Sequence, residues 1–501
     1  MNPGKAPRAY RYYGKPLTLA GFDLLDEVGV LRRFMQGDML SHEECLEILT
    51  QDTGDEVLAE RYLGSTLKYL YTQGILNIRD GRYMLASPGG SLLHNKVVIG
   101  SLMDAYAALS QLAAFECFGE EEPMTLGQCG IEVDEIGGNS FMQDVLVVPA
   151  VAVLRETRLA MEDINLTGAL LRGGFHMSDV ERRVEPGNLH FLLDALKAKG
   201  LVTGRGGRVE LTSAGEGVCK NPGYSQYILS YYATFGVLPD LARGEIVYDQ
   251  VKWNQPGFVG RHQGHNSKGV GDMYGQRVGP FIQSLFREGG ALYDYARRSG
   301  FDGLVLVTFG QGDGTVCRMT AGDREHGCVR RSFGLELSPG AITHARQLDA
   351  EAGLSDRITY IHGSMTNEED VRRLAAMARS ASLGVVLQQG FITHDMGVEA
   401  SRRWLGLCST HFPGAPIVSD ESFAVSDDVM REHPDHQPAS FKYPHDVSGQ
   451  ELVSRRKWLE VYEESGYREM PGADGTSVTK TYSSIANKTI PTVQTMVFEP
   501  A

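Results

Sequence analysis

The chain has 501 residues and a formal net charge of -15, with 42% hydrophobic and 22% charged residues. This length predicts two or three globular domains, and the composition excludes a disordered chain. The negative charge argues against a general nucleic-acid binder, because such proteins need clustered Lys and Arg.

The distribution of apolar residues and cysteines indicates a compartment. No apolar run is long enough to span a bilayer, and no apolar stretch follows the first residues. The seven cysteines are scattered and form no C-x-x-C pair, which is typical of free thiols in a reducing compartment. We therefore expect a cytoplasmic protein without a membrane partner.

Residues 1–120 show helical periodicity followed by a short hairpin. The stretch Ser41 to Glu44 has the form of a capping box that begins a helix. A longer helix is predicted at 56–73, ended by Gly74. Asp80-Gly81 then forms the turn between two short strands. Helices closed by a small hairpin predict a first winged-helix unit.

The same plan returns in residues 150–245, after an acidic, Gly-rich stretch at 120–139 that we interpret as a linker. Gly200-Leu201-Val202 enters a hairpin as Gly74-Ile75-Leu76 does, so we interpret the two units as a tandem duplication. Their third helices carry few Lys or Arg, which argues against binding in a DNA groove. We expect these units to form a homodimer or to cover the substrate, without nucleic acid.

A long Gly-rich polar stretch follows at 246–285. Such a stretch inside a compact chain is usually functional or disordered. It connects the helical units to the next domain, so we predict that it lines the cleft. The candidate substrate contacts are Arg261, His262, His265 and Tyr274, and the alternative is that each histidine is an ordinary polar loop residue.

The stretch 303–345 predicts a nucleotide-binding unit of strand, turn, helix and strand. An apolar strand ends at Gly310-Gln311-Gly312-Asp313-Gly314, and the next strand ends near Glu336. The glycines let a ligand approach the backbone, and the acid can accept both hydroxyls of a ribose. The spacing G-x-G-x-G suits S-adenosylmethionine (SAM), because SAM has no pyrophosphate. We predict SAM contacts from Gly310, Gly312, Asp313, Gly314 and Glu336.

Three further strands complete the domain. The third strand ends in Gly363-Ser364-Met365, the fourth near Gln389, and the fifth in Asp420-Glu421. A closing hairpin is predicted from 478–483 and 492–499. Ligands of open α/β sheets bind beyond the carboxyl ends of the strands, so Ser364, Met365 and Gln389 are further candidate cofactor contacts.

The Gly-rich turn with its placed acid resembles the first two motifs of class I SAM-dependent methyltransferases. The resemblance implies an α/β fold, with a class I (Rossmann-like) methyltransferase domain at 286–501 preceded by mostly α-helical tandem winged-helix units. In outline the N-terminal half resembles that of plant-type O-methyltransferases, which use winged helices for dimerisation. Methyltransferases often bind the adenine amine with an acid after the third strand, where this chain has Ser364 and Met365.

Metal-ligating side chains follow two of these strands and one later segment. His394-Asp395 follows the fourth strand, Asp420-Glu421 ends the fifth, and His445-Asp446 comes later. Two imidazoles and one carboxylate suit a divalent transition metal with open positions. The set His394, Glu421 and His445 is not local, so the alternative stays open that His394 is a lone base and the others are unconnected.

From the Tyr-rich helix at 224–238 onward, the chain resembles bacterial 2-oxo acid C-methyltransferases of the 2-ketoarginine methyltransferase kind. The motifs FGQGDG, FITHD and SDES carry this resemblance. It implies C-methylation beside the carbonyl of a 2-oxo acid in specialised metabolism. It also implies a divalent metal (Zn, Fe, Mn, Co or Ni) held by His394, Glu421 and His445, with Asp420 able to replace Glu421. The proton acceptor would be Asp395, Asp446 or a metal-bound hydroxide.

The first winged-helix unit is extra relative to that family, which raises the possibility of a carrier-bound substrate. Two other functions remain. One is a metal-free O- or N-methyltransferase that uses His394 as a general base. The other is a SAM-binding regulator that uses its winged helices.

Overall fold

In the computed structural model, the described residues are 12, 15–86, 140–157, 159, 164–180, 186–220, 235–248, 261–262, 265–266, 275, 278–379, 382–432, 437–450, 452–472, 474–485 and 490–501. The chain divides into two compact units. The N-terminal unit comprises Met1–Val259, Gln263–Asn266 and Ser426–Ser448. The C-terminal unit comprises Gly260–His262, Ser267–Val425 and Gly449–Ala501.

The first half of the N-terminal unit has the predicted helices and hairpin. Its elements are α1 (Lys15–Glu27), α2 (Val30–Met35), β1 (Leu40–Ser41), α3 (His42–Thr53), α4 (Glu56–Ala59), a π-helical turn (Glu60–Gly64), α5 (Ser65–Thr72), β2 (Leu76–Arg79) and β3 (Arg82–Leu85). The predicted capping box is confirmed, because Ser41 Oγ accepts from the Glu44 backbone N–H while the Glu44 carboxylate accepts from Ser41 N–H.

The second half repeats this plan after a helix that the sequence analysis did not predict. Its elements are α6 (Ser140–Glu156), α7 (Leu166–Leu171), β4 (Phe175–His176), a 3₁₀ turn (Met177–Asp179), α8 (Pro186–Ala198), β5 (Val202–Arg205), β6 (Arg208–Leu211), α9 (Ser213–Cys219) and α10 (Leu238–Arg243). The proposed boundary at 150 falls inside α6. Most of the described side chains of this helix are buried, so it lacks the polar face that marks a helix in sequence.

Both halves form a three-stranded sheet with the same pairing. The orders are β1-β3-β2 and β4-β6-β5, and in each the two-residue strand pairs antiparallel with the second strand of the hairpin. Helix, short strand, helices and hairpin therefore occur twice in this order, which agrees with the duplication. Their assignment as winged helices remains a prediction, and the predicted linker at 120–139 lies outside the described residues.

Two short strands follow, β7 (Arg261–His262) in the C-terminal unit and β8 (His265–Asn266) in the N-terminal unit. The C-terminal unit continues with α11 (Gly279–Leu285), α12 (Ala291–Arg298), β9 (Gly303–Phe309), α13 (Thr315–Gly322), β10 (Val329–Glu336), α14 (Pro339–Glu351), β11 (Ile358–His362), α15 (Glu368–Ala378), β12 (Leu383–Gly390), α16 (Thr393–His411) and β13 (Ile417–Ser422). After α17 (Asp427–Glu432) and α18 (Gln437–Ser448) come α19 (Arg455–Glu464), β14 (Tyr467–Glu469), β15 (Thr479–Ile485) and β16 (Ile490–Pro500).

The eight strands β9–β16 form one sheet in the order β11-β10-β9-β12-β13-β16-β14, with β15 paired to β16. The first five strands are parallel, and β16 is antiparallel to β13, β14 and β15. The closing hairpin is confirmed, whereas the short strand β14 was not predicted. Parallel strands with a final antiparallel strand inserted beside β13 are the arrangement of the class I methyltransferase fold.

Side chains alternate between two apolar layers on either side of this sheet. One layer contains Val305, Val307, Leu387 and Ile417, and the other contains Leu304, Leu306, Val386 and Val418. Every residue of β9 is buried, as expected of a central parallel strand covered on both faces. This alternation decides which layer each polar residue at a strand end faces.

The segment Ser426–Ser448 corrects the proposed domain at 286–501, because its helices α17 and α18 belong to the N-terminal unit. Tyr443 of α18 stacks on Tyr69 of α5, with ring centroids 4.3 Å apart, and bonds Thr66 through its hydroxyl at 2.6 Å. Arg431 of α17 lies 4.1 Å over the ring of Tyr71 and donates to Tyr71 O at 2.7 Å. Such contacts between distant parts of the chain leave no local signal in sequence.

Candidate active site

The Gly-rich turn after β9 has the backbone that its glycines predict. Gly310, Gly312 and Gly314 have φ angles of 58°, 57° and 77°, a region that side chains disfavour. A Cβ at Gly310 would overlap Ile392 Cδ1, and one at Gly314 would overlap the hydroxyl of Tyr360. A Cβ at Gly312, by contrast, would meet no atom within 4 Å. Gly312 therefore presents open backbone at the carboxyl end of β9.

Glu336 lies at the end of β10, next to this turn. Its side chain is buried, with 1% of the residue exposed. Oε2 accepts from the Gly312 backbone N–H at 3.0 Å, and Oε1 accepts from Ser338 N–H at 2.9 Å. Gly312 and Glu336 are thus in direct contact, and their binding of SAM stays a prediction. Leu337 follows with 43% exposure and offers an apolar surface beside the acid, which the sequence analysis did not identify.

Asp313 has a local role in the turn. Its Oδ1 accepts from the backbone N–H and the hydroxyl of Thr315, at 3.0 and 2.7 Å, at the start of α13. Arg318 of α13 donates to the Asp313 carbonyl and forms an ion pair with Asp349 at 3.4 Å. Burial raises the pKa of Asp349 despite that ion pair. These contacts with α13 stabilise the conformation of the turn.

Ser364 and Met365 follow β11, as predicted. The Ser364 backbone N–H donates to Asp370 Oδ2 at 2.9 Å, and its hydroxyl bonds that of Thr366 at 3.0 Å. Met365 is 8% exposed and packs in an apolar layer. Gln389 is fully buried in β12, where its Nε2 donates to Ser419 Oγ at 2.6 Å. The amide of Gln389 therefore joins neighbouring strands.

The two acids at the end of β13 face opposite layers of the sheet, because successive side chains of a strand alternate. Both are fully buried. Asp420 accepts from Gln388 Nε2 at 3.1 Å and from the Thr495 hydroxyl. Glu421 accepts from the Thr393 hydroxyl and, at 3.4 Å, from Gln389 Nε2. The suggestion that Asp420 could replace Glu421 is therefore wrong within this unit.

His394 is the imidazole that Glu421 contacts. It lies in the first turn of α16 with 2% exposure, and its Nδ1 is 3.1 Å from Glu421 Oε2. Asp395 Oδ1 lies 3.5 Å from His394 Nε2. Burial lowers the pKa of His394, but the charge and hydrogen bond of Glu421, together with Asp395, outweigh burial and raise it above the ordinary value.

The remaining predicted ligands, His445 and Asp446, lie in α18 of the N-terminal unit. His445 is fully buried, donates from Nδ1 to Phe441 O at 2.6 Å and packs on the Phe441 ring. Asp446 forms an ion pair with Lys442, and burial raises its pKa despite that lysine. Of the predicted metal ligands, the C-terminal unit contains His394 and Glu421, whose side chains are in contact, and the metal set stays a prediction.

The predicted substrate contacts fall outside what the structure describes. The side chains of Arg261, His262 and His265 lie outside the described part of the chain, and so does all of Tyr274. These four remain predictions.

Among the described helices, none is both long and apolar enough to cross a membrane.

The strand order and the inserted antiparallel strand give the C-terminal unit the class I methyltransferase fold, with the open glycine turn and Glu336 at the carboxyl ends of its strands β9 and β10. This observed topology confirms the coarse fold prediction. It places His394 and Glu421 at the carboxyl ends of strands, the edge where ligands of such sheets bind.

No family model and no curated protein matches the chain. Among solved structures, it is similar to an O-methyltransferase family protein from Burkholderia thailandensis, with TM-score 0.42 and 15% identity over 74% of this chain and 97% of that one. It is also similar to CalO1, a methyltransferase in calicheamicin biosynthesis, with TM-score 0.38 and 14% identity over 83% and 100%. The CurJ carbon methyltransferase gives TM-score 0.36 and 12% identity over 79% and 99%.

Proposed function

We propose that this chain is a SAM-dependent methyltransferase in which His394, oriented by Glu421, takes a proton from the methyl acceptor. The observation that carries the proposal is the buried contact of 3.1 Å between His394 Nδ1 and Glu421 Oε2. With its proton held at Nδ1, the imidazole takes the tautomer whose Nε2 accepts a proton. The pKa of His394 lies above its ordinary value, which strengthens it as a base.

The residues of the glycine turn fit the cofactor. Glu336 offers two carboxylate oxygens to the ribose hydroxyls, Gly312 leaves open backbone for close approach, and Leu337 offers an apolar surface to the adenine. Bound SAM supplies an electrophilic methyl group. The chain's own residues then have to hold the cofactor, orient the acceptor and remove its proton at His394 Nε2.

Binding of SAM is tested by calorimetry on the unmodified protein and on Glu336→Gln. Replacing a charged acceptor of two hydroxyls should weaken SAM by about 2 kcal/mol, roughly thirtyfold. Glu368→Gln is the matched control, because Glu368 is an exposed acid of α15 in the same unit. An unchanged affinity in Glu336→Gln would contradict the proposed ribose contact.

A second candidate is metal-assisted C-methylation of a 2-oxo acid. The observation that favours it is that His394 Nε2 and Asp395 Oδ1 lie 3.5 Å apart, two donor types that suit a divalent transition metal. Glu421 on Nδ1 then fixes the ring, as carboxylates do behind metal-ligating histidines. A bound metal would supply Lewis-acid stabilisation to an enolate.

One experiment separates the two candidates. The protein is incubated with SAM and a panel of 2-oxo acids, carrier-bound acyl groups and phenols, with and without a chelator, and its metal content is measured. Methylation of a hydroxyl or amine that persists in metal-free protein supports the general base. Methylation at carbon that the chelator abolishes and added metal restores supports the second candidate. Failure to transfer a methyl group to any acceptor would count against both.

The N-terminal unit is proposed to support the enzyme without reading DNA. Helix α5 occupies the position of the third helix of a winged helix, and it packs against α17 and α18 of the same unit. Its residues Thr66, Leu67, Tyr69, Leu70 and Thr72 are buried. A helix covered in this way cannot enter a DNA groove. Salt-dependent binding of duplex DNA would overturn this proposal, and the predicted homodimer can be checked by its mass in solution.

A further inference from the structure

The side-chain amide of Gln311, in the glycine turn, is buried without a hydrogen-bond partner among the described residues. This holds for both Nε2 and Oε1 of Gln311. Its Cγ lies against Gly334 of β10, where an added Cβ would come within 2.6 Å of it. Buried amide groups are nearly always hydrogen-bonded in folded proteins, so this pair of atoms requires an explanation.

The position of Gln311 relates it to Glu336. Gly334 and Glu336 are two residues apart on β10, so they face the same side of the strand. The neighbour of Gln311 in the turn, Gly312, donates its backbone N–H to Glu336 Oε2 at 3.0 Å. Gln311 therefore lies against the face of β10 that ends in the carboxylate assigned above to the ribose.

We propose that Gln311 is a further cofactor-binding residue, whose amide contacts the ribose hydroxyls of SAM after a side-chain rotation. The proposal rests on the proposed function. A hydroxyl can donate its hydrogen to Glu336 and accept from Gln311 Nε2 through the same oxygen. A buried amide without hydrogen-bond partners destabilises the folded protein. A ligand that supplies those partners removes this penalty, and the free energy recovered adds to its affinity.

The variant Gln311→Met tests this proposal, because Met has similar length and no polar atom. It should weaken SAM binding and at the same time stabilise the protein without SAM. The dissociation constant of SAM, measured by calorimetry, should rise about tenfold, the loss of one to two hydrogen bonds. The midpoint of thermal unfolding without added SAM should rise by about 2 °C or more, because two unpartnered polar atoms are removed.

The ribose end is distinguished from the amino-acid end with 5′-methylthioadenosine, which has the nucleoside of SAM without its amino acid. Competition should show that Gln311→Met weakens 5′-methylthioadenosine by the same factor as SAM. A loss for SAM alone would place the amide at the amino-acid end and overturn the ribose contact.

Ser332→Ala is the matched control. Ser332 is fully buried on β10, and its Oγ also has no hydrogen-bond partner among the described residues. Its removal should leave SAM affinity unchanged. If Gln311→Met lowers the thermal midpoint and leaves SAM affinity unchanged, the amide is satisfied by a buried water and the inference is wrong. If the unmodified protein fails to bind SAM, the proposed function falls together with this inference.

Discussion

Asp420 and Glu421 are neighbours in β13, fully buried and each held by a glutamine of β12, yet their surroundings differ. Glu421 faces His394, a base that can exchange a proton. Asp420 faces Thr495, which in turn bonds Tyr482 at 2.9 Å. Burial raises the pKa of Tyr482, so its hydroxyl keeps its proton.

This difference teaches that burial does not by itself mark a functional acid. Both carboxylates are removed from water, and both are satisfied by hydrogen bonds, as buried charges require. Only the acid that is paired with a titratable partner can orient that partner and raise its pKa. The Glu421 side of β13 is therefore the chemical side in our proposal, and the Asp420 side is structural.

The largest effect is expected from removing the base on the Glu421 side. His394→Ala should lower kcat by about 10²- to 10⁴-fold, the usual contribution of general acid–base catalysis. SAM affinity should stay normal, because Gly312 lies in the turn between β9 and α13 and Glu336 lies on β10, away from α16. Steady-state kinetics and calorimetry measure the two quantities. Substantial activity in a folded His394→Ala protein would show that His394 is not the base, so that Glu421 and Asp420 would no longer differ in function.

Glu421→Gln should have the next largest effect and should also change the pH dependence. The neutral imidazole is the base, so activity rises with pH through the pKa of His394, which is raised above its ordinary value. Without the negative charge this pKa falls, so the rising limb should move to lower pH while kcat drops by about 10²-fold. The measurement is a pH–rate profile of both proteins. A limb that stays in place would show that Glu421 does not set this pKa.

Asp420→Asn is the matched change on the other face and should act on stability. Gln388 Nε2 and the Thr495 hydroxyl both donate to Asp420, whereas an asparagine offers only one accepting oxygen. One buried hydrogen bond is therefore disrupted, which costs about 1–3 kcal/mol of unfolding free energy. Chemical denaturation measures this loss. Turnover and its pH profile should remain those of the unmodified protein. A pH profile altered as in Glu421→Gln would erase the distinction between the two acids.

Thr495→Val should give the smallest effect. It removes a hydroxyl that donates to Asp420 and bonds Tyr482, at a cost of about 1 kcal/mol in unfolding free energy. Denaturation monitored beside Asp420→Asn should show that the two changes are not additive, because they share one hydrogen bond. Full additivity would indicate that the Thr495–Asp420 bond contributes little.

Local patterns in the sequence predicted much of the C-terminal unit. The glycine turn, the acid of β10 and the closing hairpin all follow from residues close together in the chain. The apolar helix α6 was missed because its described residues are mostly buried and show no polar face. The strand β14 has only three residues, too few to show a period.

The sequence predicted which residues belong to the candidate site, but not which acid of β13 contacts His394. His394 and Glu421 were both named from strand-end positions, yet whether Asp420 or Glu421 meets the imidazole depends on which side each faces. That is decided by the register of β13 against β12 and β16, which no local pattern encodes. The Thr393 hydroxyl that donates to Glu421 was missed for the same reason.

The sequence by itself determined the glycine turn, the acid beside it and the alternation of strands and helices, because turn conformation and hydrophobic period depend on neighbouring residues. Only the tertiary structure decided that Ser426–Ser448 joins the N-terminal unit and that Glu421, not Asp420, contacts His394. Both depend on contacts between residues far apart in the chain, such as Tyr443 with Tyr69. Burial of apolar surface selects such contacts over the whole fold, so no single segment of the sequence specifies them.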